Sequence, residues 1–395
     1  MTPQVISLSK RARAVAPSVT LAIAAKAKAL RAQGIDIISL SAGEPDFDTP
    51  SFIKQAAAAA LEKGATKYTP VEGIPELRKA IAAKLKRDQG LEFDPSQIVV
   101  SVGAKHAIFN VLFALLDEGD EVAVPSPYWL SYPEMVQVLG GRCRILETTE
   151  KTNFKLTPEI LRKGISRRTK ILILNSPSNP TGAVYHREEW TGLAKVLRDF
   201  PELMLLSDEI YEKLIFGGLR HDSIASLDRD LAARTVIVNG LSKAYAMTGW
   251  RLGYSASPTR ELAAAVSNIQ SHSTSNATSF AQFGAVAALE KGEAEAGRMC
   301  GVFEKRRDFF FDKIAAIPGL KPFRPEGAFY LFVDISKTGM DSVAFCEKLL
   351  EEARVAAVPG RPFGSDAHVR FSFAASEEEL AKAADRIADW LSKKH

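Results

Sequence analysis

Two basic side chains, Lys243 and Arg251, stand eight positions apart, each next to a predicted buried strand. Residues 236–238 are β-branched and predict a strand that Asn239-Gly240 breaks, and residues 252–256 predict the next strand. A lysine at the end of a buried strand loses part of its hydration, so its ammonium form is disfavoured and its amine becomes a usable nucleophile. An arginine a short loop away offers a planar fork that suits a phosphate.

A nucleophilic lysine beside a phosphate-holding arginine is what a pyridoxal 5′-phosphate (PLP) site requires, because the lysine forms a Schiff base with the cofactor. An isolated pair of this kind is more often two surface side chains, so the flanking residues decide. Residues 242–254 read SKAYAMTGWRLGY. This segment closely resembles the lysine-site signature of the class I/II aminotransferases, part of the aspartate aminotransferase superfamily of fold-type I PLP enzymes. The resemblance implies that Ser242, Lys243 and Arg251 bind PLP.

A second motif predicts a seat for the cofactor's phosphate. Residues 97–102 predict a strand, and Gly103-Ala104-Lys105 opens a long apolar helix over residues 106–116. A strand, a turn of small residues and a helix N-terminus form an anion cradle of backbone N–H groups. No Walker loop or GxGxxG fingerprint is present. An ordinary βα turn, which has the same pattern, is therefore the alternative interpretation. The resemblance implies that Gly103 and Ala104 supply amides to the phosphate, with Lys105 next to them.

Further side chains that suit PLP follow predicted strands, where ligands of open parallel sheets bind. Trp129 follows the Pro-rich end of a strand and matches the family's aromatic that stacks on the cofactor ring, although such aromatics are more often core residues. Asn179, in a tight Asn-Pro turn, and Tyr211 match the donors to the cofactor's 3′ oxygen. Asp208 ends a strand over residues 203–207, where an acid pairs with the pyridine nitrogen and keeps the ring an electron sink.

The substrate contacts are implied by the resemblance. Gly43 opens the sequence Gly-Glu-Pro-Asp-Phe, which resembles the loop whose glycine N–H meets the substrate carboxylate, and Trp129 and Asn179 adjoin the substrate too. Arg370 lies in an alternating strand pattern, where the family places the arginine that binds the α-carboxylate; a surface arginine at a sheet edge is the alternative. Lys105 and Thr20 match the positions that receive a side-chain carboxylate in bacterial-type aspartate aminotransferases.

One implied contact involves a second copy of the chain. Tyr68 lies in a loop that opens a helix near Pro75. In the family, the tyrosine of this loop reaches across a dimer interface to the phosphate of the partner's PLP. We therefore expect a homodimer with two composite sites.

The order of predicted elements gives the fold class. About seven strands alternate with helices between residues 51 and 290, which predicts an α/β fold with a mostly parallel sheet wound by helices. The resemblance implies the fold-type I PLP-dependent transferase architecture, with a smaller α+β domain. We expect residues 1–45 to form an N-terminal arm and part of the small domain, residues 46–290 the large PLP-binding domain, and residues 291–395 the C-terminal small domain.

Composition excludes several other classes. A chain of 395 residues with 46% hydrophobic residues is too long for one ordinary core, and 51 basic against 47 acidic residues give no case for nucleic acid. The three separated cysteines indicate a reducing compartment, hence the cytoplasm, and no structural zinc; no metal site is expected. No apolar run is long enough to span a membrane.

The first acidic residue is Asp36, so the basic N-terminus is either an organelle transit segment or, as we expect, an ordered arm.

The resemblance implies a ping-pong transaminase in which Lys243 bonds to PLP and, once freed by the substrate, moves a proton between the substrate Cα and C4′ of the cofactor. We expect L-aspartate and 2-oxoglutarate as substrates, giving oxaloacetate and L-glutamate by way of pyridoxamine phosphate. Prephenate, aromatic amino acids or alanine are alternatives with the same chemistry. A non-catalytic PLP-binding regulator would need an N-terminal helix-turn-helix, for which there is no room before Gly43. A dehydrogenase would need a GxGxxG motif after a strand, and the sequence contains none.

Overall fold

The computed structural model describes residues 6–17 and 19–393, apart from the side chains of Thr20, Leu21 and Ala24. Its strands fall into three sheets of two, four and seven strands. The strands are β1 (Ile38–Ser39), β2 (Ile98–Ser101), β3 (Glu121–Ser126), β4 (Arg142–Glu147), β5 (Thr169–Asn175), β6 (Met204–Asp208), β7 (Thr235–Gly240), β8 (Gly253–Ala256), β9 (Lys321–Phe323), β10 (Tyr330–Asp334), β11 (Val355–Ala356), β12 (Val358–Pro359) and β13 (His368–Ser372).

Helices precede, separate and follow these strands. The longest, of 23 residues, follows the seven-stranded sheet. The helices are α1 (Lys10–Ala14), α2 (Val19–Ala32), α3 (Ser51–Glu62), α4 (Pro75–Gln89), α5 (Ala104–Leu115), α6 (Ser131–Val138), α7 (Pro158–Gly164), α8 (Arg187–Leu197), α9 (Arg229–Ala232), α10 (Arg260–Ser271), α11 (Ser279–Lys291), α12 (Glu293–Ala315), α13 (Ser342–Glu352) and α14 (Glu377–Ser392).

The seven-stranded sheet has the order β2-β8-β7-β6-β5-β3-β4. Strands β3 to β7 pair in parallel, and β8 alone runs antiparallel to its neighbours β7 and β2. Parallel strands are covered on both faces, which is why their sequences are nearly continuous apolar runs. The predicted α/β fold with a mostly parallel seven-stranded sheet is confirmed.

Strand β5 shows how the two faces are filled. Its residues alternate between two buried clusters, as the two-residue period of a strand requires. Ile171 and Ile173 pack with α5 and α6 on one face, whereas Leu172 and Leu174 pack with Trp190 of α8 on the other. Strand β5 is thus held between helical layers, and its polar residues lie at its two ends.

The second, four-stranded sheet has the order β12-β13-β10-β9 and is antiparallel. It packs with α12, α13 and α14 around a core that includes Phe329, Phe345 and Phe371. This sheet contains Arg370, whose Cα partners are Phe332 on β10 and Val358 on β12. The α+β character predicted for the C-terminal part is therefore present.

The sequence pattern also predicts one strand over residues 35–40 and one over residues 355–358, and three details of the predicted strands are wrong. Residues 355–358 are two strands, because β11 pairs with β1 while β12, after Ala357, pairs with β13. Residues 35–40 contain only the two-residue β1, since β11 offers just two partners. Asn239 and Gly240 belong to β7 instead of breaking the strand after Val238, because the ladder with β8 continues to Gly240 opposite Gly253.

Gly253 marks a close approach between β8 and the turn before α5. A Cβ built on Gly253 would lie 2.7 Å from the Cα of Ala104, a contact that real side chains do not make. Only glycine lets β8 pass so near to this turn.

Among the described residues, no helix is long and apolar enough to cross a membrane.

We predict that Gly253→Ala lowers the free energy of unfolding by about 1–3 kcal/mol, since overpacking against backbone forces a backbone shift. Urea unfolding followed by circular dichroism measures the change. Gly249→Ala is the matched control, because a Cβ on Gly249 meets no heavy atom within 4 Å. Equal stability of the two variants would contradict the prediction.

Candidate active site

A cavity of about 460 Å³ opens at the carboxyl ends of β5, β6 and β7. Parallel strands deliver their C-terminal residues to one edge of a sheet, so side chains distant in sequence meet there. Eleven of the predicted site residues line this cavity: Gly43, Ala104, Lys105, Trp129, Asn179, Asp208, Tyr211, Ser242, Lys243, Arg251 and Arg370.

Lys243 lies in the loop that follows β7, with its side chain half-buried. Its ammonium donates a short hydrogen bond to the carbonyl of Gly43 and lies 5.8 Å from the ring centre of Phe329. Burial lowers the pKa of Lys243 to about 8, and the opposing attraction of Glu44 does not restore it. About a tenth of this amine is therefore neutral and nucleophilic at pH 7, a far larger fraction than for an unperturbed lysine.

Asp208, the last residue of β6, is buried at the floor of the cavity. Its Oδ2 accepts a hydrogen bond of 2.6 Å from the hydroxyl of Tyr132, and its Oδ1 accepts one of 3.2 Å from the N–H of Ile210. Burial raises the pKa of Asp208 to about 6, although both hydrogen bonds act to lower it. The carboxylate is thus fixed in direction and suited to a cationic partner.

Tyr211 and Asn179 carry polar groups into the same cavity. The hydroxyls of Tyr211 and Tyr330 lie 2.8 Å apart, and both rings are buried. Asn179 is held by its own N–H, which donates to Oδ1 of Asn175 at 2.9 Å. The cavity wall therefore contains both the phenol of Tyr211 and the carboxamide of Asn179. Two such groups can donate hydrogen bonds to one oxygen of a ligand.

Arg370 is almost fully buried, with 2% of its surface exposed. Its guanidinium donates to Oδ1 of Asn179 at 2.8 Å and to the carbonyl of Ser41 at 3.3 Å, and it lies 4.2 Å from the ring centre of Tyr330. No carboxylate pairs with it among the described residues, and its Nε has no hydrogen-bond partner there. Because a buried cation needs a counter-charge, this site suits an anionic ligand.

Gly103 and Arg251 form the candidate phosphate seat. Gly103 has φ of 86° and precedes the first turn of α5, so the N–H groups of Ala104 and Lys105 are unpaired within the helix. The guanidinium of Arg251 lies directly against Gly103, in the space that a Cβ would fill. A helix N-terminus next to an arginine is suited to bind a phosphate dianion.

Lys105 and Trp129 lie side by side at the edge of the cavity. The ammonium of Lys105 is 4.9 Å from the ring centre of Trp129. Burial lowers the pKa of Lys105, and the charge of Arg251 lowers it further. This ammonium lines the cavity, and no carboxylate among the described residues pairs with it, so it is available to a ligand.

Three predicted site residues remain: Tyr68, Thr20 and Gly103. Tyr68 is 88% exposed and does not line it, so it contributes nothing to the site of its own chain. The side chain of Thr20 lies outside the described residues. Gly103 meets the site only through Arg251, since the glycine itself is not part of the cavity wall.

Three residues of the site were missed by sequence reasoning: Tyr132, Tyr330 and Asn175. Tyr132 stands three positions after Trp129 at the start of α6, which puts both rings on one side, 5.2 Å apart. That spacing was the available signal. Tyr330 is the first residue of β10 and Asn175 the last of β5, and nothing in their local sequence distinguishes them from other buried strand ends.

Behind the turn that carries Asp208 and Tyr211, Glu209 points into a buried polar cluster. Burial alone would raise its pKa, but His221 at 3.0 Å and the hydroxyls of Ser207 and Ser223 outweigh burial and hold the pKa at about 2. Glu209, Glu212 and His221 are close enough to share a metal ion, yet the ammonium of Lys84 already binds Glu212. The contacts of Glu209 in this cluster therefore hold in place the turn that carries Asp208 and Tyr211.

The chain is similar to known proteins over nearly its whole length. Residues 35–387 match the family model described as aminotransferase class I and II. The chain is 48% identical to an aspartate aminotransferase of Geobacillus stearothermophilus, over 97% of this chain and 98% of that protein. It is 45% identical to an aspartate/prephenate aminotransferase of Nitrosomonas europaea, over 98% and 100%.

A solved structure agrees in fold as well as in sequence. The aspartate aminotransferase of Thermus thermophilus with maleate superposes with a TM-score of 0.93 at 46% identity, over 98% of this chain and 100% of that one. The chain belongs to the class I and II aminotransferase family. It is a PLP-dependent aminotransferase that acts on amino acids and 2-oxo acids.

The residues of the cavity fit PLP in their chemistry. An aldehyde needs an amine of lowered pKa, a ring nitrogen needs a fixed acid, and a phosphate needs unpaired N–H groups and an arginine. Lys243, Asp208 and Arg251 offer these groups in one cavity, and the position of a Cβ at Gly103 is taken by the arginine. The family's cofactor and the geometry therefore agree.

We predict that PLP uptake by the apoenzyme becomes faster as the pH rises from 7 to 9. With a pKa of about 8, Lys243 is protonated below that pH and cannot attack the aldehyde, whereas above it the amine is free. Titration through this pKa gives about a tenfold rise in rate over two pH units. Stopped-flow absorbance measures it, and Lys243→Ala, which cannot bond to the aldehyde, serves as the control. A midpoint near that of an unperturbed lysine would contradict the prediction.

Proposed function

We propose that this aminotransferase transfers the amino group of L-aspartate to 2-oxoglutarate, giving oxaloacetate and L-glutamate. The observation that carries the proposal is the presence of two cations, Arg370 and Lys105, in the wall of one cavity. A dicarboxylic substrate offers one carboxylate to each. The Geobacillus relative bears the name aspartate aminotransferase, and maleate, present with the Thermus enzyme, is a four-carbon dicarboxylate.

The proposed cofactor contacts divide by chemical group. Lys243 bonds to the aldehyde carbon, and Trp129 stacks on the ring. Asp208 faces the ring nitrogen, while Asn179 and Tyr211 donate to the 3′ oxygen. The phosphate is held by the remaining groups: the backbone of Gly103, the N–H groups of Ala104 and Lys105, the side chains of Ser242 and Arg251, and the partner's Tyr68.

Bound PLP supplies an electron sink for the bond that breaks at the substrate Cα. The buried carboxylate of Asp208, held in place by Tyr132, keeps a proton on the facing ring nitrogen. The substrate's amino group would replace Lys243 at the aldehyde carbon, and the freed amine of Lys243 would then move the proton between the substrate Cα and the cofactor carbon, because its lowered pKa suits both steps at neutral pH. One site serves both half-reactions, so the kinetics are ping-pong.

Orientation of the substrate rests on its two carboxylates. Arg370 binds the α-carboxylate, and the N–H of Gly43 and the amide of Asn179 adjoin it. Burial of this guanidinium strengthens the ion pair because water is excluded from it. Lys105, with Thr20, receives the distal carboxylate.

Prephenate is a second candidate acceptor. The Nitrosomonas relative is named aspartate/prephenate aminotransferase, and prephenate carries a ring-borne carboxylate that Lys105 would bind in the same way. Aromatic amino acids and alanine lack this group, so they are weaker candidates. Their turnover would leave Lys105 without a partner.

The proposal includes a homodimer. Tyr68 is the most exposed large aromatic side chain among the described residues, and the exposed rings of Phe113 on α5 and Phe283 on α11 are two further apolar side chains suited to a subunit interface. We also propose a cytoplasmic location, supported by three cysteines that form no disulfide with one another. The division into domains at residues 45 and 290 stays a prediction, supported by the separate four-stranded sheet.

We predict that Lys105→Ala lowers kcat/KM for aspartate and glutamate by about ten- to a hundredfold while sparing apolar amino acids. One charged hydrogen bond, worth about 1.5–3 kcal/mol, is lost only with the dicarboxylates. Arg370→Ala is expected to damage all substrates alike. Steady-state rates with both substrate classes separate the two roles.

The control for Lys105→Ala is Lys79→Ala, which removes an exposed lysine from α4. It is expected to leave both substrate classes unchanged. A Lys105→Ala enzyme with equal, small losses for dicarboxylic and apolar substrates would show that this lysine is only solvated.

We predict that Tyr68 acts across the dimer. Mixed dimers of a Tyr68→Ala protomer with a Lys243→Ala protomer would then contain one site with native Lys243 and a native partner tyrosine. We expect that site to hold PLP as tightly as the unaltered enzyme, whereas Tyr68→Ala homodimers release PLP faster. The measurement is PLP release from differently tagged, purified mixed dimers. Mixed dimers that release PLP like the Tyr68→Ala homodimer would place the tyrosine in its own site, and a fully active monomer in sedimentation would rule the dimer out.

A further inference from the structure

The loop over residues 241–252 joins β7 to β8 and carries both Lys243 and Arg251. Its backbone is left-handed at two residues that are not glycine, Ala246 with φ of 51° and Arg251 with φ of 54°. Side chains with a Cβ disfavour this region, so such a conformation persists only where its surroundings enforce it. Something outside the loop must therefore hold both positions.

Thr49 contacts Ala246 itself and Trp250, the neighbour of Arg251. Its hydroxyl donates a hydrogen bond of 2.6 Å to the carbonyl of Ala246 and accepts one of 3.0 Å from the indole N–H of Trp250. Thr49 is only 7% exposed, so water does not compete for these bonds. One hydroxyl thereby fixes the first left-handed residue directly and the second through its neighbour, Trp250.

The support behind this hydroxyl is rigid. Thr49 lies two residues before Ser51, the first residue of α3. The ring of Trp250 packs on α11 so closely that a Cβ on Gly284 would lie 2.7 Å from it. The loop is therefore tied to two packed helices instead of being free to move with solvent.

We propose that Thr49 is a positioning residue that holds Lys243 and Arg251 at the separation the cofactor requires. It does not itself line the cavity, so it acts only through the loop. The Arg251 end of the loop fixes the phosphate seat, since the guanidinium of Arg251 packs on Gly103 and donates to the carbonyl of Thr248 at 2.7 Å. The inference rests on the proposed roles of Lys243 and Arg251.

The test compares the rate of PLP release from the holoenzyme in three single variants. Thr49→Val removes the hydroxyl and keeps the shape, and we expect it to release PLP at least tenfold faster. Thr49→Ser keeps the hydroxyl, and we expect a rate within threefold of that of the unaltered enzyme. Thr235→Val is the matched control, because its buried hydroxyl also donates to a backbone carbonyl, of Leu231 at 2.6 Å, at the opposite end of β7.

A second readout separates positioning from general destabilisation. We expect Thr49→Val to weaken binding of PLP to the apoenzyme more than binding of pyridoxal, which lacks the phosphate. Trp250→Phe removes the indole donor, so we expect its effect and that of Thr49→Val to be less than additive when combined. This variant also keeps the proposal testable if Thr49→Val does not fold.

The outcomes are distinct. Release from Thr49→Val less than threefold faster than from the unaltered enzyme, or an equal effect in Thr235→Val, would overturn the inference. Equal losses of PLP and pyridoxal affinity would overturn it as well. An unaltered protein that bound no PLP would instead overturn the proposed function, so the two failures are distinguishable.

Discussion

The reversal of the chain between β7 and β8 is the constraint on which the site depends. Strand β7 runs parallel to β6, but β8 runs antiparallel to β7, so the connection between β7 and β8 begins and ends at the same edge of the sheet and needs no crossover. The loop over residues 241–252 is therefore confined to the carboxyl end of β7. That is the edge at which Asn175 and Asp208 end their own strands. Lys243 and Arg251 are kept beside these groups by topology.

Burial gives these groups their chemistry, with opposite consequences for acid and base. It raises the pKa of Asp208 to about 6 and lowers that of Lys243 to about 8, so the two values approach each other near neutral pH. Each group is held by neighbours that do not react, namely Tyr132 for the acid and the carbonyl of Gly43 for the amine. Beneath them, Glu209 and its partners anchor the turn that carries the acid. The site is thus prepared before any ligand arrives.

A site residue could be predicted from the sequence when the residues next to it in the chain marked its position. Asp208 follows an apolar run, where a polar side chain stands out, so it could be assigned to a strand end and hence to the site. Asn179 could be assigned because its Asn-Pro turn matches that of the family the chain resembles. Tyr132 and Tyr330 are aromatic residues in partly apolar surroundings, where a core position explains them equally well. Thr49 lies about two hundred residues from the loop it holds. No periodicity links such distant positions, so its contacts appear only when α3 and the loop are brought together.

The amino-acid sequence by itself determined the α/β class, the parallel sheet and the site lysine, because hydrophobic periodicity and the residues after each strand are local properties. It could not determine that residues 355–358 divide between two sheets, since the available partner strands are set by distant segments. Nor could it determine that Arg370 is buried with no carboxylate paired to it among the described residues, or that Tyr68 is exposed and does not line the cavity of its own chain. Those facts depend on packing between elements far apart in the chain, and only the tertiary structure decides that.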